Sequence, residues 1–129
     1  AGHLSEEYKL ENKKDFHKWF EKYLTSYVNG YQNWKGDLNK LSQTNLILDD
    51  IWINYMKNED FNPPHTHKAD LSFVIYPSIP DKIIEENKNF LGTRNPGGGP
   101  GLTHWVYPFK SEVERVSVSG NIFFTGGDK

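Results

Sequence analysis

The segment ERVSVSGNIFF, residues 114–124, constrains the fold most, because polar and apolar side chains alternate along it. The polar set is Arg115, Ser117, Ser119 and Asn121, and the apolar set is Val116, Val118 and Ile122. Successive side chains of a β-strand point to opposite faces, so this segment predicts a strand with one polar and one apolar face. A polar face in solvent is ordinary. Inside a barrel, the same face is a binding surface.

Four other segments predict regular structure. The segment TNLILDDIWINYM predicts one or two strands, and LSFVIYP and HWVYPF predict one strand each. The segment IPDKIIEENKNF predicts a short helix with Asp81 near its start. Between them, the glycines and prolines of GTRNPGGGPG predict a loop without regular structure.

The N-terminal part of the chain carries a helical pattern. Its apolar residues recur at steps of three and four, which places them on one stripe of a helix that ends near Gly30. The stripe consists of Phe16, Trp19, Phe20, Tyr23, Leu24, Tyr27 and Val28. We therefore expect an amphipathic helix that packs its aromatic stripe against a sheet.

Composition bounds the class of protein. A chain of 129 residues fits one domain, and a net charge of -2 gives no sign of nucleic-acid binding. The absence of cysteine excludes disulfides and thiolate metal sites, and no apolar run reaches the length of a membrane span. We expect a cytoplasmic protein without membrane contact. The sequence does not indicate an oligomeric state.

Two histidines one residue apart form the clearest candidate site. Pro63 and Pro64 exclude a helix, so His65 is expected at the start of an extended segment that leaves a turn. In such a segment His65 and His67 share a face and can chelate one divalent cation. The alternative is two polar residues in a turn. His104, which opens a predicted strand, is the third candidate ligand.

Arg115 and Ser117 form a second candidate site, since residues two apart on a strand share a face. A guanidinium beside a hydroxyl is suited to holding a carboxylate. In the alternative interpretation, Arg115 forms a structural ion pair with Glu112 or Glu114.

Taken together, these motifs resemble those of the Fe(II)- and 2-oxoglutarate-dependent oxygenases. The first motif, Asn-x-x-His-x-His before a Leu-Ser-x-Val-x-Tyr strand, corresponds to residues 62–76, and the second, a distal histidine followed by Arg-x-Ser, to residues 104–117. The resemblance extends from about Trp52 to Phe124.

The resemblance implies a fold and a set of roles. The expected fold is a mainly β domain with an N-terminal helix: a double-stranded β-helix of the jelly-roll or cupin kind, with a helical part at 1–43 and a β-helix core at 44–129. His65 and His104 would ligate Fe(II), and Arg115 with Ser117 would hold the distal carboxylate of 2-oxoglutarate. Asn54 or Tyr55 would contact the cosubstrate as well. The substrate to be hydroxylated, a small molecule or a protein side chain, is not indicated.

Two features depart from the family pattern. The usual carboxylate ligand two residues after the first histidine is replaced by His67. Either His67 completes a three-histidine site, or Asp70 is the third ligand, or a third protein ligand is absent. In addition, only 36 residues separate His67 from His104. We therefore expect that residues are missing from the sequence near Gly101 and Leu102.

These observations leave more than one function open. The first is a dioxygenase that hydroxylates its substrate. The alternative is a non-catalytic jelly-roll binding module that retains a vestigial or three-histidine metal site, because fold alone does not specify function. A third interpretation, a small β-sandwich with exposed histidines, predicts no tight metal binding.

Overall fold

The computed structural model describes residues 4–35, 45–88, 104–106 and 108–125. The elements in these ranges are, in chain order, β1 (Glu6–Lys9), α1 (Lys13–Lys35), β2 (Asn45–Met56), β3 (Asn62–His65), β4 (Leu71–Ser78), α2 (Asp81–Asn87), β5 (His104–Val106) and β6 (Arg115–Thr125). The expectation of a mainly β domain with an N-terminal helix is therefore confirmed. The glycine-rich segment 92–101 and the proposed gap near Gly101 and Leu102 lie outside the described residues.

The strands form two antiparallel sheets, one of four strands in the order β1-β2-β6-β4 and one of two, β3-β5. In the larger sheet β6 pairs with both β2 and β4, so the alternating segment identified in the sequence is its central strand. Asn54 lies opposite Ser117 and Ile53 lies opposite Val118. Directly opposed residues share a face, so the sheet has the predicted polar and apolar faces.

Helix α1 covers the apolar face of the larger sheet. Phe20 and Leu24 are buried with Ile122 of β6. The partly buried side chains around them are Phe16, Leu46, Leu48, Leu71, Phe73 and Ile75. The aromatic stripe of α1 thus packs against the sheet as expected, although its Trp19, Tyr23 and Tyr27 edge remains exposed.

The predicted end of α1 at Gly30 is wrong, because the helix continues to Lys35. A glycine inside a helix costs roughly 1 kcal/mol relative to alanine, which is too little to end a long helix that is packed on a sheet.

Strand β1 was not anticipated within the N-terminal part that the sequence indicated to be helical. It pairs with the outer edge of β2, with Tyr8 opposite Ile53. The carboxylate of Asp60, which is 3% exposed, holds the start of this segment. It accepts hydrogen bonds from Ser5 N at 2.9 Å, Ser5 Oγ at 3.0 Å and Lys57 N at 2.9 Å.

A second cluster closes one end of the polar face. Met56 of β2, Ile83 of α2 and Phe109 are buried together. Leu4, Val106 and Val113 pack against them. Through Val106 this cluster brings β5 to the end of the sheet at which β6 begins.

Strand β3 corrects the predicted position of His65. The histidine ends β3 rather than starting an extended segment after a turn, and Pro63 and Pro64 lie inside the strand. The pairing of β3 with β5 is irregular between Asn62 and His65. Prolines explain this irregularity, because they have no N–H to donate to a strand ladder.

Neither α1 nor α2, the helices within the described ranges, is long and apolar enough to cross a membrane.

Candidate metal and carboxylate site

The backbone pairs two of the candidate ligands directly. His65, at the end of β3, lies opposite His104, the first residue of β5. Directly opposed residues of antiparallel strands have Cα atoms about 4.5–5.5 Å apart. Residues that are 39 positions apart in the sequence are therefore adjacent in the fold.

The ring of His65 is held by its own strand. Its Nδ1 lies 2.8 Å from the carbonyl oxygen of Pro63. A carbonyl oxygen only accepts, so Nδ1 is the donor, and in a neutral imidazole Nε2 would then carry the lone pair that a metal binds. A hydrogen bond from one ring nitrogen to a backbone carbonyl is the usual way in which a metal-binding histidine is oriented.

His67 lies next to His65, whereas Asp70 does not join them in a potential metal site. The rings of His65 and His67 have their centroids 5.0 Å apart and their planes at 68°. Asp70 is exposed at the bend before β4. The described side chains include no group of three or more His, Asp or Glu placed to hold a metal, but the His104 side chain is outside that set.

Arg115 is a half-buried cation at the start of β6. Its Nη2 lies 2.7 Å from Met56 Sδ, and its guanidinium carbon lies 5.6 Å from the centre of the Tyr76 ring and 5.9 Å from that of Phe109. Burial lowers the pKa of this guanidinium, although arginine remains charged in proteins.

The charge of Arg115 has no carboxylate counterpart in the part of the chain that the structure describes. No ion pair joins it to Glu112 or Glu114 there, and its buried Nε has no hydrogen-bond partner. A buried charge without a paired group is costly. The arrangement therefore favours a bound anion at this position.

Polar side chains continue from Arg115 along the same face. Asn54 and Ser117, each 6% exposed, lie opposite one another on β2 and β6. Asn54 Nδ2 donates to Ser119 Oγ over 3.5 Å, and the buried Asn54 Oδ1 has no hydrogen-bond partner among the described residues. Since buried polar atoms are normally paired, this face has hydrogen-bonding capacity for a ligand.

Of the two residues suggested as further cosubstrate contacts, only Asn54 shares the face of Arg115. Tyr55 lies opposite Val116, on the other face of the sheet, and its ring meets Tyr8 edge-on at 5.9 Å. Neighbouring residues of β2 point to opposite faces of the sheet, so Asn54 and Tyr55 cannot both lie on the face of Arg115. The suggestion of Tyr55 as a cosubstrate contact stays a prediction, made for a residue on the opposite face from Arg115.

Three residues around Arg115 were not assigned to the site from the sequence. They are Met56, Tyr76 and Phe109. Tyr76 is 44% exposed and lies beside the guanidinium. Tyr76 lies an even number of positions from Ser72 and Val74 in β4, so the three side chains share the polar face. This spacing is the feature of the sequence that could have placed Tyr76 near Arg115.

Comparison with known proteins adds no assignment: no family model, curated protein or solved structure matches this chain.

Proposed function

We propose that the protein is a non-haem Fe(II)- and 2-oxoglutarate-dependent dioxygenase that hydroxylates a small molecule or a protein side chain. The observation that carries the proposal is the direct pairing of His65 with His104, the two histidines that the sequence motifs nominate as ligands. When bound, iron and 2-oxoglutarate supply the oxidising power for inserting one oxygen atom of O2 into a C–H bond.

The arrangement of the strands supports the finer fold assignment. The chain passes from the larger sheet (β2) to the smaller (β3) and back (β4), and later again from the smaller (β5) to the larger (β6). Such alternation between two sheets is what a double-stranded β-helix of the jelly-roll kind requires. A cytoplasmic location belongs to the same proposal.

The donor set fits an iron site. Neutral imidazoles are suitable ligands for iron, and histidines at directly opposed strand positions have Cβ atoms about 5 Å apart, a separation that one ion can bridge. The contact with Pro63 fixes the orientation and tautomer of His65. In this proposal His67, whose ring adjoins that of His65, is the third ligand.

The polar face fits the distal carboxylate of 2-oxoglutarate. Arg115 offers parallel N–H donors, Ser117 offers a hydroxyl from the same face, and Asn54 lies opposite Ser117. The Tyr76 and Phe109 rings restrict water around the guanidinium, which strengthens its interaction with an anion.

A non-catalytic binding module with a three-histidine or vestigial metal site is the second candidate. It is favoured by the histidine at position 67, where the oxygenases that this chain resembles have a carboxylate. Three neutral ligands leave more positive charge on the metal than two histidines and a carboxylate do. Such a module binds metal and a carboxylate but does not turn over.

Anaerobic calorimetry with Mn(II), an inert stand-in for Fe(II), tests the proposal. We expect about one equivalent of Mn(II) to bind, and 2-oxoglutarate to bind only in its presence. His104→Ala should abolish metal binding. Arg115→Lys should leave metal binding intact. It should weaken the binding of 2-oxoglutarate at least about tenfold, because lysine cannot form the two parallel hydrogen bonds that arginine gives a carboxylate.

His17→Ala is the matched control, since His17 lies on α1 and belongs to neither candidate site. Release of succinate with Fe(II), ascorbate and O2, abolished by EDTA, separates the enzyme from the binding module. Absence of metal binding to the folded wild-type chain contradicts both functions. Metal-dependent 2-oxoglutarate binding without succinate release supports the module.

A further inference from the structure

Met56 is the one methionine in the chain, and it lies against the one half-buried guanidinium among the described residues. It is 1% exposed and occupies the position on β2 directly opposite Arg115. Arg115 Nη2 donates to its Sδ at 2.7 Å, while Arg115 Nε donates to no atom of the described chain. The sulfur therefore holds one nitrogen of the guanidinium and limits the rotation of the group.

The chemistry of the thioether suits this role. A thioether is a weak hydrogen-bond acceptor without charge, so it can orient a guanidinium without neutralising it. A carboxylate at the same position would neutralise Arg115, and a leucine of similar volume would offer no acceptor. The guanidinium carbon of Arg115 lies 5.6 Å from the centre of the Tyr76 ring and 5.9 Å from that of the Phe109 ring. Of these three residues, Met56 is the one that accepts a hydrogen bond from the guanidinium.

We infer that Met56 is a positioning residue for anion binding: its sulfur fixes the rotation of the Arg115 guanidinium so that the accessible N–H groups of the guanidinium face the bound carboxylate. The inference rests on the proposed function for the identity of that carboxylate, 2-oxoglutarate. It does not require turnover, because its subject is the orientation of one side chain.

Met56→Leu tests the inference, since leucine keeps the volume and removes the acceptor. The chain contains two arginines, Arg94 and Arg115, so its nitrogen-15 spectrum has two Nε–H signals, which Arg94→Lys assigns. In the wild-type protein we expect a sharp, slowly exchanging Arg115 signal. In Met56→Leu we expect this signal to broaden and exchange faster, while the backbone amide spectrum remains that of the folded protein.

Ligand binding provides the second readout. With diamagnetic Zn(II) in place of iron, the single methionine methyl signal should shift on addition of 2-oxoglutarate. The Kd for 2-oxoglutarate should rise about fivefold in Met56→Leu, as expected for the loss of one modest hydrogen bond. Met56→Gln, which keeps an acceptor at similar reach, should restore both the sharp Nε–H signal and the affinity.

The possible outcomes separate the two ideas. An unchanged Arg115 signal and an unchanged Kd in Met56→Leu would show that Met56 only fills space, and the inference would fail. If wild-type protein with Zn(II) binds no 2-oxoglutarate, the proposed function fails, and the dependence of the Nε–H signal on residue 56 still decides the role of Met56. Failure of Met56→Gln to restore the signal also overturns the inference.

Discussion

At the scale of single residues, Gly120 shows how tightly the apolar face is packed. A Cβ at this position would lie 2.7 Å from Phe73 Cζ and 2.8 Å from its Cε1. Phe73 lies directly opposite Gly120 on β4, and its ring is held by Phe20 at 4.6 Å and by Phe16 at 5.9 Å between centroids. The glycine therefore provides the space that the Phe73 ring occupies beneath α1.

We expect Gly120→Ala to lower the free energy of unfolding by about 1–3 kcal/mol, the usual cost of overpacking a core. Urea denaturation measures this change. Combining it with Phe73→Leu should recover part of the loss, because the smaller side chain no longer occupies the position of the new methyl group.

Gly30→Ala is the matched control, since the same methyl group there has no atom within 4 Å. In the exposed interior of α1 it should stabilise the protein by up to about 1 kcal/mol. If Gly120→Ala proves as stable as the wild-type protein, the Phe73 ring moves aside at little cost in free energy and the packing argument is wrong.

At this same scale, the sequence predicted which residues share a face but not which of them are buried. Period-two alternation placed Arg115, Ser117 and Ser119 together, and it would have excluded Tyr55 once Asn54 was chosen. Burial of Asn54 and the unpaired Arg115 Nε depend on what covers the sheet, which local alternation does not encode.

At the scale of elements, Glu86 joins α2 to the segment that leads into β6. Its carboxylate accepts hydrogen bonds from Lys110 N at 2.7 Å, Ser111 N at 3.1 Å and Ser111 Oγ at 2.8 Å. These bonds, chiefly that from Lys110 N, lower the pKa of Glu86. The charged carboxylate therefore stabilises the folded arrangement of α2 and this segment.

We expect Glu86→Gln to be less stable than the wild-type protein at pH 7, because a neutral amide accepts these bonds less well. Since the pKa is lower in the folded state, the stabilisation is present above the ordinary glutamate pKa of about 4.3 and is lost as pH falls below it. Denaturation curves at pH 7 and pH 3 should show the difference between the two proteins shrinking at the lower pH.

Glu85→Gln, one position earlier on α2, is the control, because Glu85 forms only an exposed pair with Lys88. Exposed pairs contribute little to stability, so this variant should behave like the wild type at both pH values. A Glu86→Gln deficit that is equal at both pH values would exclude the charge as its cause.

The elements that the sequence predicted are those with a strong internal period. Strands β2, β4 and β6 and both helices follow from alternation or from three- and four-residue spacing. Strand β1 does not, because its residues EEYK carry little apolar signal and it depends on hydrogen bonds to the edge of β2. The helix end also escaped prediction, since the cost of Gly30 is outweighed by packing that the local sequence does not show.

At the scale of the whole molecule, β6 determines how the larger sheet is held together. It pairs with β2 from Arg115 to Thr125 and with β4 from Val116 to Ile122, whereas β1 contacts only β2. Disrupting β6 therefore separates β4 from the pair formed by β1 and β2. Strand β2, the other interior strand, holds only β1 on its far side.

We expect amide hydrogen exchange to be slowest in β6 and fast in β1. Central strands open only with global unfolding, whereas edge elements open locally at lower free energy. Native-state hydrogen exchange followed by NMR measures the protection of the amides in each strand. Equal protection of β1 and β6 would contradict it, and would indicate that the N-terminal strand unfolds together with the core.

The pairing of the two candidate sites belongs to this scale as well, and the sequence could not provide it from its periodicity. His65 and His104 become neighbours only through the pairing of β3 with β5, and Val106 brings β5 to the end of the sheet that carries Arg115. Spacing along the chain contains no such information. Only the resemblance of the two motifs to a known family predicted that these residues would form one site.

The central position of β6 also matters while the protein is being made. The ribosome releases β1, β2 and β4 before β6, so the nascent chain carries the apolar residues of β2 and β4 without the strand that joins them. Strand pairing over such long sequence separations is slow, and unpaired edges are prone to aggregate. Until β6 is made, β2 and β4 therefore expose apolar side chains and unpaired edges, and the chain is prone to aggregate at this stage.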